Sequence, residues 1–253
     1  PELATQVAMP LASIVSIAAG LGGSSRGTGI AGSVAVNSID SGAVATVESS
    51  TVGGTSLAVG GTDGTSIITV AGALAWGGKL GVGAGIAINT IDSVAHAVVR
   101  DTSVDVTGAL DVTATGSPGI TAVAAGIAVV IASPAVDPEH PDATPGTTRG
   151  LALAIGLAVN SITLDVQASL TGTGSDTVDA GSVAVVADDD DASILAVAGG
   201  VAVGVSTSEK AGATAGAGGA AFAVNRIEVS AASRIGGLVV TTATAHGGSG
   251  DVT

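Results

Sequence analysis

The densest cluster of charge in the sequence is a run of four consecutive aspartates: Asp188, Asp189, Asp190 and Asp191. Adjacent carboxylates repel one another, and carboxylate oxygens are the ligands that Ca²⁺ prefers. The cluster is therefore a candidate calcium site. A solvated acidic turn is the alternative, and we favour it because the cluster does not recur elsewhere in the chain. The sequence requires no cofactor, and calcium is the one ion that it suggests.

A second group of metal-ligating residue types lies in a proline-rich stretch, residues 133–150. Asp137, Glu139, His140 and Asp142 are close together there, and carboxylates with a histidine can bind a divalent metal. The prolines make the stretch extended, which disfavours a preorganised site. We interpret residues 133–150 as an inserted loop that contacts a partner.

Four of the seven basic residues lie in comparable glycine-rich or inserted loops: Arg26, Lys79, Arg149 and Lys210. If these loops align in space, the four bases form a column on an acidic protein. Such a column could contact an acidic turn of a neighbouring molecule. Four unrelated solvated side chains are the alternative, and both interpretations stay open.

Four asparagines occupy the same place in one recurring word, which reads Ala-Val-Asn-Ser-Ile-Asp at its first occurrence: Asn37, Asn89, Asn160 and Asn225. The word alternates with period two, so that each Asn shares a strand face with Ala and Ile. That face is predicted to be buried, and a buried amide requires partners. We predict an internal ladder in which the amides bond from one repeat to the next, as in stacked strands. A ligand-binding polar row is the alternative.

Composition excludes several classes of protein. The net charge of −14 opposes binding to nucleic acid or anionic lipid. Cysteine is absent, so no disulfide scaffold can form. Hydrophobic residues make up 46% of the chain although it has only one Trp, one Phe and no Tyr, which argues against both disorder and an ordinary enzyme core. The longest apolar run, Ile120–Ala132, is too short for a membrane-spanning helix, so no membrane insertion is expected.

Internal repetition is the main signal. The Asn word is always preceded by a Gly/Ala/Val word and followed by a third word of alternating aliphatics. Four imperfect three-strand repeats therefore cover residues 14–65, 66–119, 120–191 and 192–253 of a single domain, residues 1–253. The third words are Leu57–Val59, Leu110–Val112, Val183–Val185 and Leu238–Val240.

These repeats predict an all-β solenoid, with a right-handed parallel β-helix favoured. The first half of the Asn strand is apolar on both sides, so we expect both of its faces to be covered, with Phe222 in the core. The second half carries a solvated acidic column opposite the asparagines: Asp40, Asp92, Thr163 and Glu228. Whether a repeat holds one wide coil, two coils or a hairpin stays open.

The ordered words resemble the repeat regions of large bacterial surface proteins, namely leukotoxin-A-type filamentous adhesins and related haemagglutinin-like exoproteins. In those regions, words similar to Ala35–Asp40 and Ala87–Asp92 precede a Leu/Val word and then a small-residue word. The resemblance implies a secreted β-solenoid on a bacterial surface or in an extracellular filament, with a host or surface glycan as a partner. It carries over no catalytic residue.

Neither end of the chain shows a polar capping segment, and an uncapped solenoid exposes strand edges that recruit another chain. We therefore expect either head-to-tail self-association or continuation as part of a longer chain. Two rival classes remain: a β-helix polysaccharide lyase or epimerase, and a carbohydrate- or ice-binding solenoid. The sequence lacks the clustered carboxylates and aromatic platforms of the first and the regular threonine rows of the second. A non-enzymatic structural or adhesive module is therefore predicted.

Overall fold

The computed structural model describes residues 3–133, 148–207, 213–242 and 251–252, which form 17 β-strands in four parallel sheets. Sheet I contains Leu3–Ala8 (β1), Ser56–Asp63 (β5), Ala109–Gly116 (β9), Ser182–Asp189 (β13) and Asp251–Val252 (β17). Sheet II contains Ser13–Ser24 (β2), Ser66–Gly77 (β6), Gly119–Ala132 (β10) and Ser193–Ser206 (β14). Sheet III contains Thr28–Glu48 (β3), Leu80–Arg100 (β7), Arg149–Thr171 (β11) and Thr214–Gly236 (β15). Sheet IV contains Thr51–Gly54 (β4), Ser103–Val106 (β8), Thr177–Ala180 (β12) and Val239–Thr242 (β16).

The chain winds through one strand of sheets II, III, IV and I in turn, and then begins the next coil. Each strand pairs in parallel with its counterpart one coil away, so like residues stack: Ile39 pairs with Ile91, Ile91 with Ile162, and Ile162 with Ile227. The predicted parallel β-helix is therefore confirmed. Each repeat is one wide coil, because its first two words lie in different sheets and do not pair as a hairpin.

Each coil holds four strands, and the expected three-strand unit is corrected accordingly. The additional strand is the four-residue strand of sheet IV, which is too short to show a period of its own. Ser49 and Asp101, with φ of 50° and 49°, turn the chain shortly before β4 and β8. The same strand explains a misassigned third word, because Val239 and Val240 pair with Thr177 and Val178 in sheet IV and not with sheet I.

The coil is wide because the strands of sheet III are 21 to 23 residues long. Their C-terminal halves face sheet I, and sheet IV closes that side. We call this part the thick half, because large aliphatic side chains fill it, among them Leu110, Val112, Leu164 and Leu170, all at most 1% exposed. Acidic and other polar residues of sheet III, such as Asp92 and Asp165, point outward there.

The N-terminal halves of the sheet III strands face sheet II in an inverted arrangement, with glycine and alanine between the sheets and large aliphatics outside. A Cβ atom on Gly85 would lie 2.4 Å from the Ala125 carbonyl oxygen and 2.7 Å from that of Ala71. The two sheets therefore approach almost to backbone contact. We call this part the slab; it comprises sheet II and residues 28–36, 80–88, 151–159 and 216–224 of sheet III.

The expectation that both faces of the first half of the Asn strand are covered is wrong for this chain. Small residues cover the inner face, whereas the outer face exposes side chains such as Val36 at 66% and Leu151 at 43%. Phe222 lies on that outer face and is 59% exposed, so it is not a core residue. The sequence predicts the apolar pattern correctly, but in a single chain only the inner face of these strands packs against another sheet.

Candidate functional site: a buried amide ladder between open sheet edges

The four predicted asparagines lie in one column at the middle of sheet III, where the slab meets the thick half. Register places Asn37 beside Asn89, Asn89 beside Asn160, and Asn160 beside Asn225. All four point into the coil, since they alternate with outward residues along each strand. Asn89 and Asn160 are each 1% exposed.

Side-chain hydrogen bonds join the asparagines along the solenoid axis. Nδ2 of Asn37 donates to Oδ1 of Asn89 at 2.8 Å, Nδ2 of Asn89 donates to Oδ1 of Asn160 at 2.8 Å, and Nδ2 of Asn160 donates to Oδ1 of Asn225 at 2.9 Å. The buried Thr69 of sheet II donates its hydroxyl to Oδ1 of Asn89 at 2.6 Å and accepts from Nδ2 of Asn37 at 2.7 Å. The amides thus bond to one another, and Asn89 and Asn160 do so inside a core that water does not reach.

The ladder has a direction, because the first three amides all donate toward the following coil. Within the described residues, Nδ2 of Asn225 makes no hydrogen bond, and neither does Oδ1 of Asn37. One end of the ladder therefore presents a donor and the other an acceptor. Asn225 is exposed at the surface of the last coil. The two ends of the solenoid are complementary in hydrogen bonding.

A buried carboxylate, Asp63, lies at the end of β5 and is not among the candidate residues that the sequence indicated. Its side chain is enclosed at 0% exposure, where Ser41 Oγ donates to Oδ2 at 2.5 Å and Thr65 Oγ1 donates to Oδ1 at 3.0 Å. Two hydroxyl donors compensate in part for its desolvation. The only sequence signal was an Asp in a glycine-flanked turn, which is also typical of exposed loops. Asp63 ties the corner between sheets I and II to sheet III.

The candidate calcium cluster lies at the end of β13 and in the turn that follows. All four of its side chains are exposed: Asp188, Asp189, Asp190 and Asp191. Asp189 Oδ1 accepts from the backbone N–H of Ala192 at 3.2 Å. The backbone N–H of Asp190 donates to the Gly116 carbonyl at 2.9 Å, and Asp191 has a φ of 72°. These contacts form the turn and align it with the preceding coil.

The turn does not assemble its carboxylates as a set of ligands. Within the described ranges, no group of three or more His, Cys, Asp or Glu side chains is arranged to hold a metal ion. Asp190 and its three neighbours lie in an exposed turn, and calcium binding there stays a prediction. The other candidate metal ligands lie outside the described residues: Asp137, Glu139, His140 and Asp142.

Three of the four predicted loop bases lie at the same edge of the slab. Arg26 is in the turn between β2 and β3, Lys79 is in the turn between β6 and β7, and Arg149 begins β11. Backbone bonds align these turns, since Lys79 N–H donates to the Gly27 carbonyl at 2.9 Å and Leu151 N–H donates to the Lys79 carbonyl at 2.9 Å. Lys210 lies outside the described residues.

Side-chain pairs on the outer face of the thick half bridge successive coils. Arg100 on β7 donates to Glu48 on β3 at 2.5 Å, and His96 Nε2 lies 3.1 Å from Asp165 Oδ2 on β11. Within β15, Arg226 donates to Glu228 at 2.5 Å, so this member of the acidic column is paired. Sequence reasoning missed the inter-coil pairs because their partners align only once the coil length is known.

The outermost strands of sheet III form the longest open edges. Within the described residues, β3 pairs only with β7, and β15 pairs only with β11. β15 runs over 23 residues and pairs with β11 along its whole length on one side. A strand of this length with a free edge is a template for pairing with another chain.

None of the described residues forms a helix with the length and hydropathy needed to cross a membrane. Searches of protein-family models, curated proteins and solved structures found no match to this chain.

Proposed function

We propose that this chain is a non-enzymatic structural or adhesive module of a secreted bacterial surface protein or extracellular filament, in which solenoids stack end to end. The observation that supports the proposal best is the direction of the asparagine ladder. In a head-to-tail stack, Nδ2 of Asn225 donates to Oδ1 of Asn37 in the next copy, and the ladder continues across the joint. The ladder presents a donor at one end of the described solenoid and an acceptor at the other, and this complementarity favours such continuation.

The backbone edges support the same geometry. β15 of one copy and β3 of the next are both long strands of sheet III, and they lie at opposite ends of the molecule. Pairing them in the register used between all the coils adds a fifth strand to that sheet and brings Asn225 beside Asn37. Sheets II and IV extend across the same joint in parallel.

Sheet I imposes a further requirement, because in the described part of the chain it has five strands whereas each other sheet has four. In a continuous stack, β1 of one copy and β17 of the preceding copy occupy the same position, next to β13. β1 pairs over six residues and β17 over two. We expect β1 to occupy the position, so that the N-terminal strand of each copy clamps the preceding one.

The substitution Asn225→Asp tests the stacking joint. The substitution keeps Oδ1 of residue 225, which accepts from Asn160. It replaces Nδ2, the donor at the end of the ladder, by a carboxylate oxygen that would face Oδ1 of Asn37 across the joint. We expect the isolated chain to keep its fold, because Asn225 is exposed there, whereas burial of an unpaired charge blocks stacking. The measurement is filament length by negative-stain microscopy, with circular dichroism to verify the fold.

Ala232→Asp is the matched control, since it adds the same charge on the outer face of the same edge strand, beside Gln167. Wild type and the control should form filaments, and Asn225→Asp should yield short particles. Equal filament lengths in all three would contradict the stacking joint. Degradation of a polymeric uronate by the purified chain would contradict the non-enzymatic assignment and support the lyase or epimerase class.

A further inference from the structure

Among the described residues, the outer face of sheet II is the largest uncharged surface of the slab. Its outward residues are aliphatic, small or hydroxyl-bearing apart from Trp76, and in the inner coils Ile68 and Ile127 are 45% and 40% exposed. With strands of 12 or more residues at ~3.3 Å each and four strands ~4.8 Å apart, the face covers about 40 by 19 Å, or roughly 750 Å². This exceeds the largest apolar patch of an ordinary monomer, which is roughly 300–600 Å².

This face has a groove between two ridges, and all three run along the solenoid axis. A column of small residues, Ala19, Gly72, Ala125 and Gly199, stacks from coil to coil, and we call it the groove. A Cβ atom placed on Gly72 or Gly199 would have no atom within 4 Å, so the groove is open to the outside. One ridge beside it is Ile17, Val70, Val123 and Val197, and the other is Leu21, Leu74, Ile127 and Val201.

We propose that the outer face of sheet II binds the same face of a second copy of this chain, with a ridge of each copy seated in the groove of the other. Each ridge lies two residues from the groove, about 6.6 Å along the strand, so a shift of that size interlocks two identical faces. The coil spacing is the same in both copies, so ridge and groove match along their full length. Such a pair is isologous and therefore closed.

Area and charge favour a second copy as the occupant. A face of roughly 750 Å² per partner is close to the ~800 Å² that a specific, stable interface buries on each side. The outward residues of the sheet II strands are uncharged, while the acids among the described residues lie elsewhere, in part on the thick half. Two copies can meet here without desolvating a carboxylate.

A lipid bilayer is a poorer fit for this face. Insertion of the slab would carry the open edges of sheets II and III into hydrocarbon, where unpaired backbone groups are strongly unfavourable. The opposite outer face of the slab is also a poorer fit for ridge-into-groove pairing, because Ile155 interrupts the corresponding column of Gly32, Ala84 and Ala220.

Filling the groove tests the proposal. Gly72→Val with Gly199→Val has room in the single chain, so the fold should be retained, while the second copy's ridge is excluded. Gly60→Val is the matched control, because its Cβ would also meet nothing closer than 3.8 Å but faces outward from sheet I. Sedimentation velocity over a concentration series, in the Asn225→Asp background that stops end stacking, should show pairs for the parent and the control. The filled groove should raise the dissociation constant at least about tenfold.

A charged variant tests the same interface independently, because it does not fill the groove. Val70→Lys places a cation on a ridge, and Thr113→Lys makes the same change on the exposed outer face of β9. The first should abolish pairing and the second should leave it unchanged. In stacked filaments, Val70→Lys should reduce the filament width from two solenoids to one. A parent chain that stays monomeric at millimolar concentration, equal pairing in all variants, or binding to phosphatidylcholine vesicles in place of pairing would overturn the proposal.

Discussion

Gly85→Ala should destabilise the solenoid by more than about 3 kcal/mol, although it adds a single methyl group. The new Cβ would lie 2.4 Å from the Ala125 carbonyl oxygen and 2.7 Å from the Ala71 carbonyl oxygen. Both oxygens belong to paired strands of sheet II, so neither can rotate away as a side chain would. The slab must open locally, and the coils on both sides of β7 lose their close packing. Equilibrium urea unfolding followed by circular dichroism measures the loss.

Gly72→Ala is the matched control, one strand away and facing outward. Its Cβ meets nothing within 4 Å and its φ is not in the left-handed region, so the substitution mainly reduces the entropy of the unfolded chain. We expect a gain of about 0.5 kcal/mol. Equal destabilisation by both substitutions would show that glycine is needed for backbone freedom and not for the close approach of the sheets.

Asn89→Ala should destabilise the protein by about 3–5 kcal/mol, because it leaves several buried polar groups without partners. Thr69 loses the acceptor of its hydroxyl proton, Oδ1 of Asn160 loses its donor, and Asn37 retains only Thr69. A small cavity adds to this loss. Hydrogen exchange should show the weakening most strongly in β3, β7 and β11, since a solenoid coil contacts only its neighbours.

Asn225→Ala is the control for the ladder, because it removes one bond at an exposed end. It leaves Nδ2 of Asn160 without its acceptor next to the exposed last coil, so a smaller loss of about 1–2 kcal/mol is expected. If Asn89→Ala were as mild as Asn225→Ala, the buried amides would contribute little to stability. The alternative prediction, that the asparagine column binds a ligand, would then be favoured.

The ladder and the parallel β-helix could be predicted from the sequence because they depend on residues that recur at one place in every repeat, whereas the number of coils in a repeat stayed open. An Asn between Ala and Ile on a strand face has few arrangements other than an internal ladder. Sheet IV could not be predicted, since a four-residue strand such as Val239–Thr242 carries too little periodicity. Asp63 was missed for a related reason, because its burial depends on Ser41 in another sheet.

The inverted slab shows where pattern reasoning stops. A strand that is apolar on both sides indicates that both faces avoid water, and Ile88 and Ala87 illustrate the two sides. The pattern does not say which face meets its own chain and which meets a partner. The structure answers this, because Gly85 faces the backbone of Ala125 in the same chain, so the face with small residues is the inner one. The large aliphatics are left outside, where the second copy proposed above would cover them.

The most direct test of end-to-end stacking is X-ray diffraction from aligned assemblies of the wild-type chain. In a stacked solenoid the strands lie perpendicular to the filament and the coils repeat along it, which predicts a reflection near ~4.8 Å on the meridian. Asn225→Asp should lose both the filaments and this reflection. Filaments with that reflection on the equator, or no ordered assembly at any concentration, would contradict the account.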